Sequence, residues 1–199
     1  MKILLFFLPI VQCFDYFVFS QTWVPEFCNL HHCQGQENFI IHGLWPQYQN
    51  NTYPSFCYPC EEFNKNLLDE NLIQKYWADN PNNFGMINTQ EIDWNFIKHE
   101  WVKHGCCSGL SQKDYFNHAL SLREKWDFKR VFESVEIYPN KTYSKDLLIS
   151  VARDFCGNKC NIVLQCIKNN LIEIWITFNK NLDVIFQNVD GNCMNEVYF

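Results

Sequence analysis

Hydrophobic and polar positions along this chain alternate between a period near two and a period near 3.6, and each change marks a new element. The run Phe14-Asp15-Tyr16-Phe17-Val18-Phe19 is aromatic and β-branched and predicts a buried strand. Phe39-Ile40-Ile41 predicts a second, short strand that delivers His42 to a turn at Gly43, before Leu44-Trp45-Pro46. Residues 47–59, rich in Asn, Pro and Tyr, read as a surface loop. Apolar residues at 63, 67, 68, 72, 73, 76 and 77 fit one face of a helix over 61–77, and 79–88 read as another loop.

Asn88, with Glu91 three residues on, reads as the cap of a central helix; Ile92, Phe96 and Ile97 keep its period, and Gly105 stops it. Ser111 starts a further helix, continued by Tyr115, Phe116, Ala119, Leu120 and Trp126, and Ser144 starts one that ends near Phe155. From Ile162 the pattern turns to β: 162–167, 171–178 and 182–186 are short runs between Asn-rich turns, which predicts an antiparallel meander. No internal repeat, low-complexity tract or linker interrupts the chain. The predicted fold class is therefore α+β, a single disulfide-bonded domain over 14–199 in which an antiparallel β-sheet packs against several helices.

Composition adds a compartment. Met1 and Lys2 precede an apolar run from Ile3 to Val11, and Val11-Gln12-Cys13 suits a cleavage site, so 1–13 read as a secretory signal peptide, too short to span a bilayer. Removing Cys13 leaves ten of the eleven cysteines, an even number that suits a disulfide framework in an oxidising compartment. Sequons at Asn50 and Asn140 are candidate glycosylation sites and fit the same route. The expectation is a monomer, secreted or held in an endolysosomal or vacuolar lumen, with no membrane partner. Net charge is −6, and without Lys2 it is 15 basic against 22 acidic residues, or −7. A protein built to grip duplex nucleic acid is normally basic, so a polyanionic ligand must here be held by a local cluster.

That cluster is His99-Glu100-Trp101-Val102-Lys103-His104-Gly105, which concentrates two imidazoles, a carboxylate and an ammonium. On a helix, His99, Glu100, Lys103 and His104 fall within an arc of about 140°, while Trp101 and Val102 point to the core. A zinc site fits poorly, because the histidines are five apart rather than four and Lys103 would repel a cation; neither metal nor cofactor is expected. Metal-free phosphoryl transfer fits better. Cleaving RNA through its own 2′-hydroxyl needs a base, an acid and cations near the phosphorus, and histidine suits both proton transfers. His42 at a strand end and His104 on a helix are placed to flank one phosphate.

The segments Phe39-Ile40-Ile41-His42-Gly43-Leu44-Trp45-Pro46 and His99-Glu100-Trp101-Val102-Lys103-His104-Gly105 resemble the two active-site segments of the ribonuclease T2 family of secreted acid endoribonucleases, which includes plant self-incompatibility ribonucleases. The resemblance covers most of the chain after residue 13, including 14–23 as the first strand. It implies an endoribonuclease acting on single-stranded RNA and not on DNA, forming a 2′,3′-cyclic phosphate and then 3′-phosphate ends without a metal. By the same resemblance His104 takes the 2′ proton and His42 protonates the leaving oxygen. Glu100 and Lys103 stabilise the pentacoordinate state and His99 contacts the phosphate, although Glu100 has a structural alternative in orienting Lys103 or His104. Trp45 and Tyr53 fall at base-stacking positions, and Phe96 beside a second base. Gln47 stands where relatives often carry Asp or Asn, which leaves base preference open, and Thr177 and Phe186 replace an inner cysteine pair of many plant members. The family pattern supports Cys57 with Cys107 and Cys166 with Cys193; arithmetic gives Cys28 with Cys33, Cys60 with Cys106 and Cys156 with Cys160.

Two rivals belong to other classes. Cys57-Tyr58-Pro59-Cys60 has the C-x-P-C form of a thiol oxidoreductase, although the residues before it are a polar loop rather than a buried strand. A non-catalytic secreted binding or storage protein on the same fold is the other, and the intact set of His42, Glu100, Lys103 and His104 argues against it.

Overall fold

The computed structural model describes residues 14–31, 35–77 and 92–199; the expected signal segment, Cys33 and the expected cap Asn88 lie outside them. Six strands form one sheet: β1 (Tyr16–Trp23), β2 (Phe39–Gln47), β3 (Thr142–Ser144), β4 (Ile162–Ile167), β5 (Asn170–Phe178) and β6 (Glu196–Tyr198). Their order is β2-β1-β5-β6-β3, with β4 also paired to β5. The α+β expectation holds, with one refinement. All pairings are antiparallel except β5 with β6, which meet in parallel through Asn170 and Tyr198, so the sheet is mixed.

β1 is buried along its whole length and runs four residues past the predicted Phe19, because Ser20, Gln21 and Thr22 are covered on both faces. β2 is much longer than the predicted 39–41, and its Pro46 is tolerated because β2 is an edge strand of the sheet. His42 is thus mid-strand, not before a turn. The register jumps from Ser20–Gly43 to Gln21–Ile41, which leaves His42 as the unpaired residue of a β-bulge. Bulges re-aim side chains, and this one lies beside the cavity described below.

Among the described residues six α-helices accompany the sheet: α1 (Val24–His31), α2 (Glu70–Tyr76), α3 (Trp94–Lys103), α4 (Gln112–Lys125), α5 (Phe128–Glu133) and α6 (Lys145–Phe155). Ser111 and Ser144 cap α4 and α6 as the sequence predicts, each side chain accepting an N–H of the first turn. α3 is capped by Asp93, which accepts from Asn95 and Phe96 N–H. The predicted helix over 61–77 reduces to a 3-10 turn, Lys65–Leu67, and α2. Its first residues are claimed from outside: the Glu61 carbonyl accepts the Trp101 indole N–H at 2.8 Å, and Gln112 bonds Asn64 through both ends of its amide. The predicted strand 182–186 shrinks to a single bridge, Val184 with Phe178, because the Asn179 side chain binds the N–H groups of Asn181 and Asp183 and rolls the chain into a turn.

Trp23, Phe39, Trp77, Trp101, Tyr115, Phe116 and Phe128 are among the largest fully buried side chains of the shared core. Disulfides join Cys57 to Cys107, Cys60 to Cys106, Cys156 to Cys160 and Cys166 to Cys193. Cys28 is also disulfide-bonded. Cys57 and Cys60 each bond a distant cysteine rather than one another, which removes the dithiol that an oxidoreductase reading requires. Both sequon asparagines are exposed. Among the described residues no helix is long and apolar enough to cross a membrane.

Candidate active site

β2 and α3 meet along one cavity of about 690 Å³, lined by His42, Trp45, Gln47, Tyr53, Phe96, His99, Glu100, Lys103 and His104, all nine singled out from the sequence. β2 is pinned behind it: the Trp77 indole donates to the His42 carbonyl at 3.1 Å and the Tyr115 hydroxyl to the Leu44 carbonyl at 2.9 Å. α3 is pinned by its apolar face, where Ile97 and Trp101 are buried. Gly105 follows because a side chain there would strike the Trp101 ring.

His42 Nδ1 lies 2.5 Å from Glu173 Oε1 on β5. Glu173 Oε2 also accepts from the Trp175 indole N–H at 2.7 Å and the Ser20 hydroxyl at 3.1 Å. Burial alone would raise the Glu173 carboxyl, but His42 and these donors outweigh it and hold its pKa low, so it is a fixed anion. Burial likewise opposes the charged imidazole, yet the Glu173 charge and hydrogen bond, helped by Glu100, push the His42 pKa above its usual 6.5. Glu173 is the functional candidate that sequence reasoning missed. Its signal was a lone carboxylate inside the apolar run Leu171-Ile172-Glu173-Ile174-Trp175-Ile176.

His104 caps the end of α3 and is buried, and its Nδ1 has no hydrogen-bond partner among the described residues. Burial first, then the nearby Lys103, His42 and His99, lower its pKa to about 3. The two imidazoles of one cavity are thereby driven in opposite directions. His99 is exposed on the rim, its pKa lowered by partial burial and by Lys103.

Glu100 lines the cavity from a buried position, and its Oε2 accepts the Trp45 indole N–H at 2.8 Å. Burial raises its pKa despite the opposing pull of His42, Trp45 and Lys103. Gly43 permits this contact, since a Cβ there would run into both Trp45 Nε1 and Glu100 Oε2. Trp45 stands between the histidines, its ring centroid 4.8 Å from His42 and 5.6 Å from His104. Tyr53, half exposed, lies 5.8 Å from His104 with the Lys103 ammonium 5.9 Å over its ring. Phe96 serves both core and cavity, 5.9 Å from His42. Gln47 is buried in the wall. An acid held protonated, a base held neutral, an ammonium and a row of aromatic faces together suit proton transfer on both sides of a phosphodiester beside stacked bases.

A model of the Ribonuclease T2 family matches residues 14–193. A ribonuclease of Aeromonas hydrophila is 38% identical over 117 residues, 56% of this chain and 46% of that protein, so the match spans about half of its length. Ribonuclease DdI of Dictyostelium discoideum is 29% identical over 84% of this chain and 75% of its own. Among solved structures, a mutant of ribonuclease MC1, an enzyme from bitter gourd seeds, in complex with 5′-UMP superposes with a TM-score of 0.79 at 27% identity, covering 94% of this chain and 98% of that one. The chain belongs to the ribonuclease T2 family, and with it to the endoribonucleases.

Proposed function

We propose that the protein cleaves single-stranded RNA without a metal, by attack of the 2′-hydroxyl on the adjacent phosphorus. His104, neutral because its pKa is near 3, takes the 2′ proton. His42, kept protonated by Glu173, gives a proton to the departing 5′-oxygen. The bond from phosphorus to the 5′-oxygen breaks as the bond to the 2′-oxygen forms, leaving a 2′,3′-cyclic phosphate. In the second step water replaces the leaving alcohol, with the two histidines exchanging roles, and a 3′-phosphate results. DNA resists because it has no 2′-hydroxyl.

Lys103 and His99 face the developing charge on the phosphoryl oxygens. Burial raises the Glu100 pKa and so favours its uncharged form, which lessens the repulsion between its carboxyl and a phosphate. Trp45 and Tyr53 stack one base, Gln47 presents its amide to that base, and Phe96 meets the next. The protein acts in a secreted or endolysosomal or vacuolar setting, for which the disulfides and the exposed Asn50 and Asn140 are the support.

The observation that carries this reading is the presence of His42 and His104 in one cavity with pKa values displaced in opposite directions. The test is incubation with RNA in EDTA at mildly acid pH, followed by analysis of the ends. Cyclic-phosphate product from the wild type, reduced on the order of 10²–10⁴-fold in His42→Ala and in His104→Ala, is the expected result. RNA bound but uncut by the wild type would instead mark a binding protein.

A further inference from the structure

At the mouth of the cavity, residues 53–60 put three exposed aromatic side chains on one loop: Tyr53, Phe56 and Tyr58, with fractional exposures of 50, 60 and 85%. Scattered exposed aromatics are ordinary on protein surfaces, but Phe56 differs in its backbone. Its φ is +52°, the left-handed region that a bulky side chain avoids. Such a conformation persists only where neighbouring structure dictates it, and here the neighbours are the end of α3 and the turn after it. The Phe56 N–H donates to the Lys103 carbonyl at 2.9 Å, and Cys57 and Cys60 are bonded to Cys107 and Cys106. The loop is therefore fastened to the same helix end that presents Lys103 and His104. The Phe56 ring meets His99 edge-on, with centroids 6.3 Å apart and planes at 75°.

Trp45, Tyr53 and Phe56 thus form an aromatic sequence that leaves the cavity past Lys103, and only the first two line the cavity itself. We propose that Phe56, with Tyr58 beyond it, is a stacking site for the base of a third nucleotide, adjoining the dinucleotide whose phosphodiester is cut. Single-stranded RNA offers splayed bases to such faces, and a loop whose backbone is held in advance loses little freedom on binding. The inference rests on the reading of the cavity as an RNA-cleaving site.

The test uses synthetic oligonucleotides with one cleavable ribose: a dinucleotide, trinucleotides extended by one nucleotide at either end, and the same trinucleotides with an abasic third residue. Wild type should cut one trinucleotide with kcat/KM about tenfold above the dinucleotide, and the abasic version should lose that gain. Phe56→Asn should bring the trinucleotide-to-dinucleotide ratio close to one, and Phe56→Trp should keep it. Asparagine accepts the left-handed backbone, so Phe56→Asn should melt no lower than wild type, which separates lost stacking from a collapsed loop. A wild-type ratio near one for both extensions, a gain that survives the abasic change, or a ratio untouched by Phe56→Asn would each overturn the assignment while leaving the cleavage reading intact. Failure of the wild type to cut even the dinucleotide would remove the cleavage reading itself, and the inference with it.

Discussion

His42 and Glu173 are 131 residues apart in sequence, and their side chains meet at 2.5 Å across the strand that separates β2 from β5. With Ser20 and Trp175 also donating to it, the carboxylate is oriented before any substrate arrives, and it fixes both the angle and the charge of the imidazole.

Replacing Glu173 by Gln removes the charge and keeps the shape. A hydrogen bond to a charged group contributes about 1.5–3 kcal/mol, so kcat should fall on the order of 10–100-fold with little change in KM. The pKa of His42 should drop at the same time, and the alkaline limb of the pH–rate profile should move to lower pH. An unmoved alkaline limb in the variant would show that Glu173 does not set the protonation of His42.

The pH dependence of the wild type has a definite sign. Activity requires His104 neutral and His42 charged. As pH rises, the rate should climb while His104 loses its proton, around pH 3, and stay high through the acid range. It should fall only above pH 6.5, as His42 gives up its proton. Both folded-state shifts also bear on stability. The His42 contribution is fully present below 6.5 and is lost as pH rises through its raised pKa, whereas the burial of neutral His104 costs stability as pH falls from 6.5 toward 3. Initial rates across about pH 2–9, beside melting temperatures in the same buffers, check both.

Gly43→Ala should disturb the Trp45–Glu100 contact, because the new methyl occupies the space of the indole nitrogen and the carboxylate oxygen. A forced methyl in a packed site costs about 1–3 kcal/mol. The expected outcome is a lower melting temperature together with a changed Trp emission spectrum and a fall in kcat/KM. Native emission with native activity would mean that the close approach at Gly43 is dispensable.

Tyr53→Ala should weaken substrate binding more than it slows chemistry, since the ring is half exposed and makes no hydrogen bond to either catalytic candidate. Loss of one base–aromatic stack is worth about 1–3 kcal/mol, seen as a rise in KM with kcat largely kept. Steady-state kinetics on a dinucleotide separates the two constants.

The parts of this molecule that were legible in its sequence are those whose signals are local. Ser111 and Ser144 cap the helices that follow them, and the heptapeptide from His99 to Gly105 does lie at the end of a helix with Trp101 turned inward. Spacing set His42 opposite His104, and resemblance added their separate roles and the base-stacking position of Trp45. What stayed hidden depends on distant partners. The helix over 61–77 fails at its start because Trp101 and Gln112 claim the backbone there. α1 and α5 went unpredicted because each is under three turns long, too short for its apolar spacing to stand out. Glu173 looked like one acid in a strand, and its partner on β2 becomes visible only when β1 is placed between them.

The mismatch in length between β1 and β2 at residue 42 ties orientation to counting rather than to chemistry. Deleting a single residue beside it would restore regular pairing and make a tidier sheet, yet turn the following side chains toward the opposite face. The number of residues on this stretch therefore matters as much as their identity: a chain one amino acid shorter here would keep every histidine and no longer aim them at one cavity.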